Sequence, residues 1–264
     1  MQRKMPKKNK SFSLCPLASG SRGNSIFVST QDTAVLVDAG LSGIETQRRL
    51  EAVGQSAEQL KAIIITHEHT DHVKGAGILS RRFDIPVYLT PQTFHACKSL
   101  GKIEHLQFFE CGTAFEIENI IVNPFSISHD AKDPAGFTLS YNGKKIGIAT
   151  DLGIATNLVK NHLSLSNLLY LESNHDPEML VNGGYPWHLK QRIKSRTGHL
   201  SNQETRDLVA ELLHQDLDHL ILAHLSEENN CPDKAAHEVR KGLNGNDTAL
   251  YVAGPDRPGK MIHL

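Results

Sequence analysis

The sequence predicts an α/β protein of two packed β-sheets with helices outside. Three observations carry this: short β patterns open the chain, they return in its middle, and amphipathic helical patterns follow each set. No period of roughly 20 to 50 residues repeats and no Pro- or Ser-rich linker divides the chain, so residues 11–264 read as one domain behind a basic tail, residues 1–10.

Strand patterns occupy residues 11–17, 25–29 and 34–38, with the glycine-containing turn Gly20-Ser21-Arg22-Gly23-Asn24 joining the first two. Ile44, Leu50 and Val53 among polar neighbours predict a helix stopped by Gly54, and residues 62–65 read as a buried strand running into His67. A helix over 73–83, a strand over 87–89 and a helix over 91–100 follow, the last with Thr90 as N-cap and proline at its first position. β-Branched and aromatic residues between turn signals such as Asn142-Gly143 predict strands over 115–117, 120–126, 136–140 and 145–150. Beyond Asp151 helices are expected to return. Ser201 and Glu204 form a capping box for a helix on which Leu208, Leu212 and Leu213 share a face. Strand 220–223, helix 233–242 and strand 249–252 complete the pattern.

Hydrophobic residues are 39%, charged residues 22% and the formal net charge is −1, as in an ordinary globular protein. The longest apolar run is five residues, 249–253, against the roughly 20 that a transmembrane helix needs, so no membrane role is expected. Arg3, Lys4, Lys7, Lys8 and Lys10 leave 23 basic against 29 acidic residues in the rest of the chain, and an acidic body argues against a general nucleic-acid coat. The basic start lacks the apolar stretch of a signal peptide; it reads as solvated disorder, with a nucleic-acid arm as the alternative. Cys15, Cys97, Cys111 and Cys231 stand far apart with no CxxC pair, as expected of reduced thiols in the cytoplasm.

Histidine is the outlier, at fifteen residues. Thr66-His67-Glu68-His69-Thr70-Asp71-His72 leaves a buried strand and enters a helix with four potential metal ligands in six residues. In extended backbone His67 and His69 point one way, while Asp71 and His72 turn toward a second point as the helix begins. His129, Asp151 and His224 each follow a predicted strand and complete two ligand sets. Asp151 is the natural bridge, since a carboxylate offsets the repulsion of two dications that activate a water.

These residues resemble the metallo-β-lactamase superfamily. Its motifs occur in order: Asp38 closing Val35-Leu36-Val37-Asp38, His67 to His72, His129, Asp151 in Thr150-Asp151-Leu152-Gly153, and His224 in Ala223-His224-Leu225-Ser226. The resemblance implies a four-layer αββα sandwich carrying two divalent ions, zinc or manganese. It implies His67, His69 and His129 on one ion, Asp71, His72 and His224 on the other, Asp151 bridging, and Asp38 holding the ligand loop by hydrogen bonds. True zinc β-lactamases of the commonest class have Arg at the place of His72 and Cys at that of Asp151, which argues against antibiotic hydrolysis. Glyoxalase II-like thioesterases share HxHxDH, but their third motif differs from Ser128-His129-Asp130-Ala131.

The segments Leu171-Glu172-Ser173-Asn174-His175-Asp176, Gly198-His199-Leu200-Ser201-Asn202 and His224-Leu225-Ser226-Glu227-Glu228-Asn229-Asn230, with Gly20-Ser21-Arg22-Gly23-Asn24-Ser25, are similar to the YycJ/WalJ exonuclease branch, which stands near tRNase Z and cyclic phosphodiesterases. Glu172 and His199 match in placement the tRNase Z pair that relays a proton to the leaving oxygen. The resemblance thus implies catalysis by Asp71, Glu172 and His199 on a nucleic acid, DNA first. Lys190, Arg192, Lys194 and Arg196 read either as a phosphate clamp or as a solvated face. Ser21, Asn24 and Ser25 read either as phosphate donors or as a plain hairpin turn, and Tyr185 with Trp187 either as a base-stacking pair or as core. A small-molecule hydrolase of thioesters, lactones or cyclic phosphodiesters is the alternative; a binding-only scaffold is disfavoured because structural zinc sites are closed.

Overall fold

The structure, a computed structural model, describes residues 11–264; the tail expected at residues 1–10 lies outside the described residues. Strands β1 (Ser13–Ala18), β2 (Ser25–Ser29) and β3 (Ala34–Val37) form an antiparallel meander. Helix α1 (Gly43–Ala52), capped by Ser42, returns the chain to β4 (Leu60–Ile64), which lies parallel to β3. After α2 (Thr70–Val73), α3 (Ala76–Phe83), β5 (Val87–Leu89) and α4 (Pro91–Ala96), β6 (Leu106–Phe108) continues the parallel half.

The helix expected over 73–83 is therefore two helices. Gly75 N–H donates to Ala39 O at 2.7 Å, and a Cβ at residue 75 would overlap the carbonyl of Leu41, so the loop leaving β3 packs directly on the break.

The second half repeats the scheme. Strands β7 (Phe115–Ile117), β8 (Ile120–Ser126), β9 (Ala135–Tyr141) and β10 (Lys144–Ala149) are antiparallel. Then α5 (Asn157–Leu163), β11 (Leu168–Glu172), α6 (Pro177–Asn182), α7 (Trp187–Ile193), α8 (Asn202–Leu212), β12 (His219–Ala223), α9 (Pro232–Arg240) and β13 (Ala249–Val252) build a parallel half. The final strand β14 (Ile262–His263) returns to pair with β1. Strand β11 is not among the sequence expectations, which had no strand between Asp151 and residue 220, although Leu168 to Leu171 is a short apolar run of the kind a doubly buried strand shows. Leu213 caps α8 in extended conformation and is half-buried rather than sharing the buried face of Leu208 and Leu212.

Among the described residues two seven-stranded mixed sheets result, in the order β14-β1-β2-β3-β4-β5-β6 and β13-β12-β11-β10-β9-β8-β7. Leu14, Val28, Val35 and Ile64 of the first meet Val122, Phe137, Ile148 and Tyr170 of the second between the sheets. The outer face of the first sheet (Phe27, Leu36, Ile63) is covered by Leu50 of α1 and Leu79 of α3, and that of the second (Leu169, Leu171, Leu222) by Leu163, Leu208 and Val239. Both faces of each sheet are buried, giving the four-layer αββα sandwich. No helix among the described residues is long and apolar enough to cross a membrane.

Candidate metal centre

The chemistry-bearing residues lie where strands end. Asp38 follows β3, Thr66 and His67 come shortly after β4, and the register that sets Val37 opposite Ile64 brings these exits to one level. In the second sheet Glu172 is the last residue of β11, opposite Ala223 on β12, and His224 comes next. Asp38, Asp151 and His224 adopt left-handed φ values of 62°, 56° and 54°. Non-glycine residues there cost about 1–3 kcal/mol each, a strain typical of sites where direction matters more than stability.

Four imidazoles are anchored through Nδ1. That of His72 lies 2.7 Å from Asp38 Oδ2, and a carboxylate only accepts, so the nitrogen donates. Thr66 Oγ1 lies 2.9 Å from Asp38 Oδ2 and 2.9 Å from His67 Nδ1; the hydroxyl donates to the carboxylate and accepts from the ring. His129 Nδ1 faces the Gly198 carbonyl at 3.4 Å, and His224 Nδ1 the Glu172 carboxylate at 2.9 Å. Each neutral ring then carries its lone pair on Nε2, the arrangement that fixes a metal-ligating tautomer. His69 faces the cluster through Nδ1, 2.9 Å from His67 Nε2 and 3.3 Å from His129 Nε2.

Four overlapping groups have donor atoms mutually within 4.8 Å: the two expected triads, His67/His69/His129 and Asp71/His72/His224, and beside them His67/His72/Asp151 and Asp151/Glu172/His199/His224. Asp151 stands between the two triads, Oδ2 3.3 Å from His72 Nε2 and Oδ1 3.7 Å from His129 Nε2. The residues fit a metal on three counts. Facing acceptors at 2.9–3.3 Å need a shared proton or a cation. Ligand atoms about 3.3 Å apart match a tetrahedron with zinc–nitrogen bonds of about 2.0–2.1 Å. Finally, Asp151 Oδ2 and His224 Nε2 are buried without a hydrogen-bond partner, a costly condition for polar atoms unless something binds them.

The triads differ in charge. Burial, with neighbouring imidazoles, holds His67 well below its ordinary pKa, and burial likewise lowers His129, so both stay neutral donors. Around His72 burial opposes the charged form, but Asp38 and Asp151 outweigh it and raise the ring well above its ordinary value. His224 is raised to about 9 against the same burial by Asp151 and Glu172. This half of the centre is an anionic pocket that draws positive charge.

Glu172 is fully buried, and all its lone pairs are engaged. Oε2 accepts from Leu152 N at 2.9 Å and Leu200 N at 3.1 Å, while Oε1 accepts from His199 Nδ1 at 2.7 Å as well as from His224. It is thereby an orienter of two histidines rather than a ligand. His199, partly exposed, turns its remaining nitrogen away from Glu172 at the rim of a small cavity of about 110 Å³ lined by His129, Asp130, Leu189, Arg192, Ile193, Thr197 and Gly198. A larger cavity of about 550 Å³, among Thr30, Gln59 and Lys61, lies at the opposite end of the first sheet and gathers none of these ligands.

The residues expected to contact phosphate are placed differently. Ser21 is exposed, whereas Asn24 is buried and hydrogen-bonded inside the centre. Lys190 is partly engaged: its Nζ donates to the carbonyls of Val181 and Gly183 at 2.7 and 2.8 Å, which uses two of its three hydrogens. Arg192 forms a two-pronged ion pair with Asp130, 3.0 Å from both Nε and the terminal nitrogen, beside His129. Lys194 and Arg196 are exposed, and so is Trp187, at 72%, which removes it from the core. Sequence reasoning missed the Thr66 hydroxyl and the Gly198 carbonyl; Thr66 adjoins His67 in the chain, but Gly198 is joined to His129 only by the fold.

The sequence profile of the Metallo-beta-lactamase superfamily matches residues 18–168, more than half of the chain. This chain belongs to the metallo-beta-lactamase superfamily. Within the superfamily it is 38% identical over 257 residues to Exodeoxyribonuclease YycJ of Bacillus anthracis, covering 94% of this chain and 97% of that protein. It is 37% identical over 264 residues to Exodeoxyribonuclease WalJ of Streptococcus pneumoniae serotype 2, covering 96% and 98%. The crystal structure of the metallo-beta-lactamase fold protein YhfI from Bacillus subtilis superposes with a TM-score of 0.76 at 15% identity, covering 97% of this chain and all of that one, a likeness of fold.

The pH dependence of this superfamily member follows from the same contacts. Burial, against a smaller pull from Glu172, lowers His175 to about 4, so the unfolded chain takes up a proton that the folded one refuses, and stability falls as pH drops from 6.5 toward 4. Burial works against the Glu172 charge, but His199 and His224 hold it down at about 2, so its contribution is lost as pH drops from 4.5 toward 2. The raised His224 contributes fully below 6.5, and that contribution is lost as pH rises toward 9. Chelator-treated protein should therefore be most stable near pH 6.5, as urea midpoints across this range will show. Zinc should flatten the alkaline limb by replacing the His224 proton. A midpoint that climbs steadily through pH 9 without metal would contradict this.

Proposed function

We propose that the chain is a metal-dependent phosphodiesterase acting as an exonuclease on DNA in the cytoplasm. The observation that carries it is His199, an accessible imidazole tied to a buried Glu172 beside the two triads. The near-full-length relatives whose names are exodeoxyribonucleases supply the substrate class, and the four free cysteines support a reducing compartment.

His67, His69 and His129 would hold one divalent ion, Asp71, His72 and His224 a second, and Asp151 would serve both. Bound there, the ions supply Lewis-acid charge for the nonbridging phosphate oxygens and an activated water. Five imidazoles favour zinc, and the carboxylates of Asp71 and Asp151 leave manganese able to compete. Asp38 and Thr66 keep His72 and His67 turned inward. Protonated on Nε2, His199 gives that proton to the leaving oxygen and retains the Nδ1 hydrogen on Glu172, which stabilises the imidazolium before transfer and the tautomer after it. The Arg192–Asp130 pair lines the cavity beside His199, and with the exposed Lys194 and Arg196 it supports a reading in which this side of the centre meets the continuing strand.

Purified protein with zinc or manganese should release nucleotides from end-labelled DNA faster than from RNA, and should leave a thioester panel intact; thioester turnover without DNA cleavage would replace this reading by the small-molecule one. Elemental analysis should approach two metals per chain, with Asp151→Ala lowering both occupancy and turnover. A fully active Asp151→Ala protein would exclude the shared-carboxylate arrangement. His199→Ala should keep its metal while losing about 10² to 10⁴ in rate. The loss should shrink on a substrate with a p-nitrophenolate leaving group, since that group departs unprotonated; equal losses on both would assign His199 to positioning.

A further inference from the structure

The Gly20-to-Asn24 turn ends inside the metal centre rather than in solvent. Asn24 is 4% exposed, and its side chain has three partners. Gly20 N–H donates to Asn24 Oδ1 at 2.9 Å; an amide nitrogen cannot accept that bond, so it decides which way the amide faces. Nδ2 is left 3.1 Å from Asp71 Oδ2, to which it donates, and 3.0 Å from His72 Nε2, which accepts its second hydrogen when the ring is neutral.

The backbone ties the same segments together. Asn24 N donates to Asp71 O at 2.7 Å, and Gly40 N donates to Asn24 O at 2.8 Å. A Cβ on Gly40 would overlap the Asp71 carbonyl and lie 2.7 Å from Asn24 N. The turn after β1, the exit of β3 and the start of α2 therefore meet only because residue 40 has no side chain. Both partners of Asn24 at the centre belong to the triad Asp71/His72/His224; His72 is also grouped with His67 and Asp151, but Asn24 is hydrogen-bonded to neither of those.

We propose that Asn24 is a positioning residue for that triad alone, fixing the Asp71 carboxylate against the Gly20 turn and leaving the His67/His69/His129 site to its own anchors. The proposal rests on the two-metal reading above. Asp71 and His72 would hold the ion, and the Asn24 amide would orient the Asp71 carboxylate toward it. Removing a partner of this kind typically costs 10- to 100-fold in metal affinity.

Zinc titration of chelator-treated protein in competition with a chromophoric chelator tests it, using wild type, Asn24→Ala and Asn24→Leu; leucine fills the same space without a donor. Wild type should bind two ions tightly, and each variant should keep one tight site while the other weakens 10- to 100-fold. Two tight sites in either folded variant would overturn the proposal. So would equal weakening of both sites, or failure of both variants to fold, since either assigns Asn24 to the scaffold. A wild type that binds fewer than two ions would overturn the two-metal reading and this inference with it, whereas two ions in wild type and variants alike would remove this inference only.

Discussion

The centre depends on where four imidazole protons go. His67, His72, His129 and His224 each give Nδ1–H to an oxygen behind the ring: a threonine hydroxyl, an aspartate, a backbone carbonyl and a glutamate. A neutral imidazole has two nitrogens and one proton, so anchoring that proton on one nitrogen leaves the other's lone pair to the interior. The convergence of lone pairs, the unpartnered Asp151 oxygen and the pull toward positive charge are consequences of that commitment.

No single sheet builds this arrangement. The first sheet's exits carry Asp38, His67, His69, Asp71 and His72, and the second's carry His129, Asp151, Glu172 and His224. The apolar layer between the sheets is therefore part of the site, because it holds the two exits at the separation that lets Asp151 reach His72 and His129 together. Interiors packed to crystal-like density transmit such placement without slack. Left-handed backbone at Asp38, Asp151 and His224 and buried polar atoms are supported by that same layer.

Glu172 joins two parts of the chemistry that are separate in the chain. One carboxylate oxygen holds a metal-facing ring, His224, and the rim imidazole, His199, while the other is secured by two backbone N–H groups. Any displacement of β11 therefore moves the His224 and His199 rings together. Its low pKa has the same origin as its role, since four donors favour the charged form despite full burial.

Much of this was legible in the sequence. Strand periodicity and capping signals specified most elements, because they depend on neighbours one to four residues away. The clustering of these His and Asp side chains was legible for a chemical reason: such residues at strand ends in this spacing have few other uses. The separation of the helix at Gly75, the carbonyl contacts of Lys190 and the inward turn of Asn24 were not legible. A lysine reads as surface charge and an asparagine in a glycine-rich turn as a loop donor, until the carbonyls of Val181 and Gly183, or the Asp71 carboxylate, are brought within 2.7 to 3.1 Å. By itself the sequence determined which groups are able to bind and to titrate; the tertiary structure decided which of them are already satisfied, because hydrogen-bond partners distant in the chain meet only when both sheets are packed.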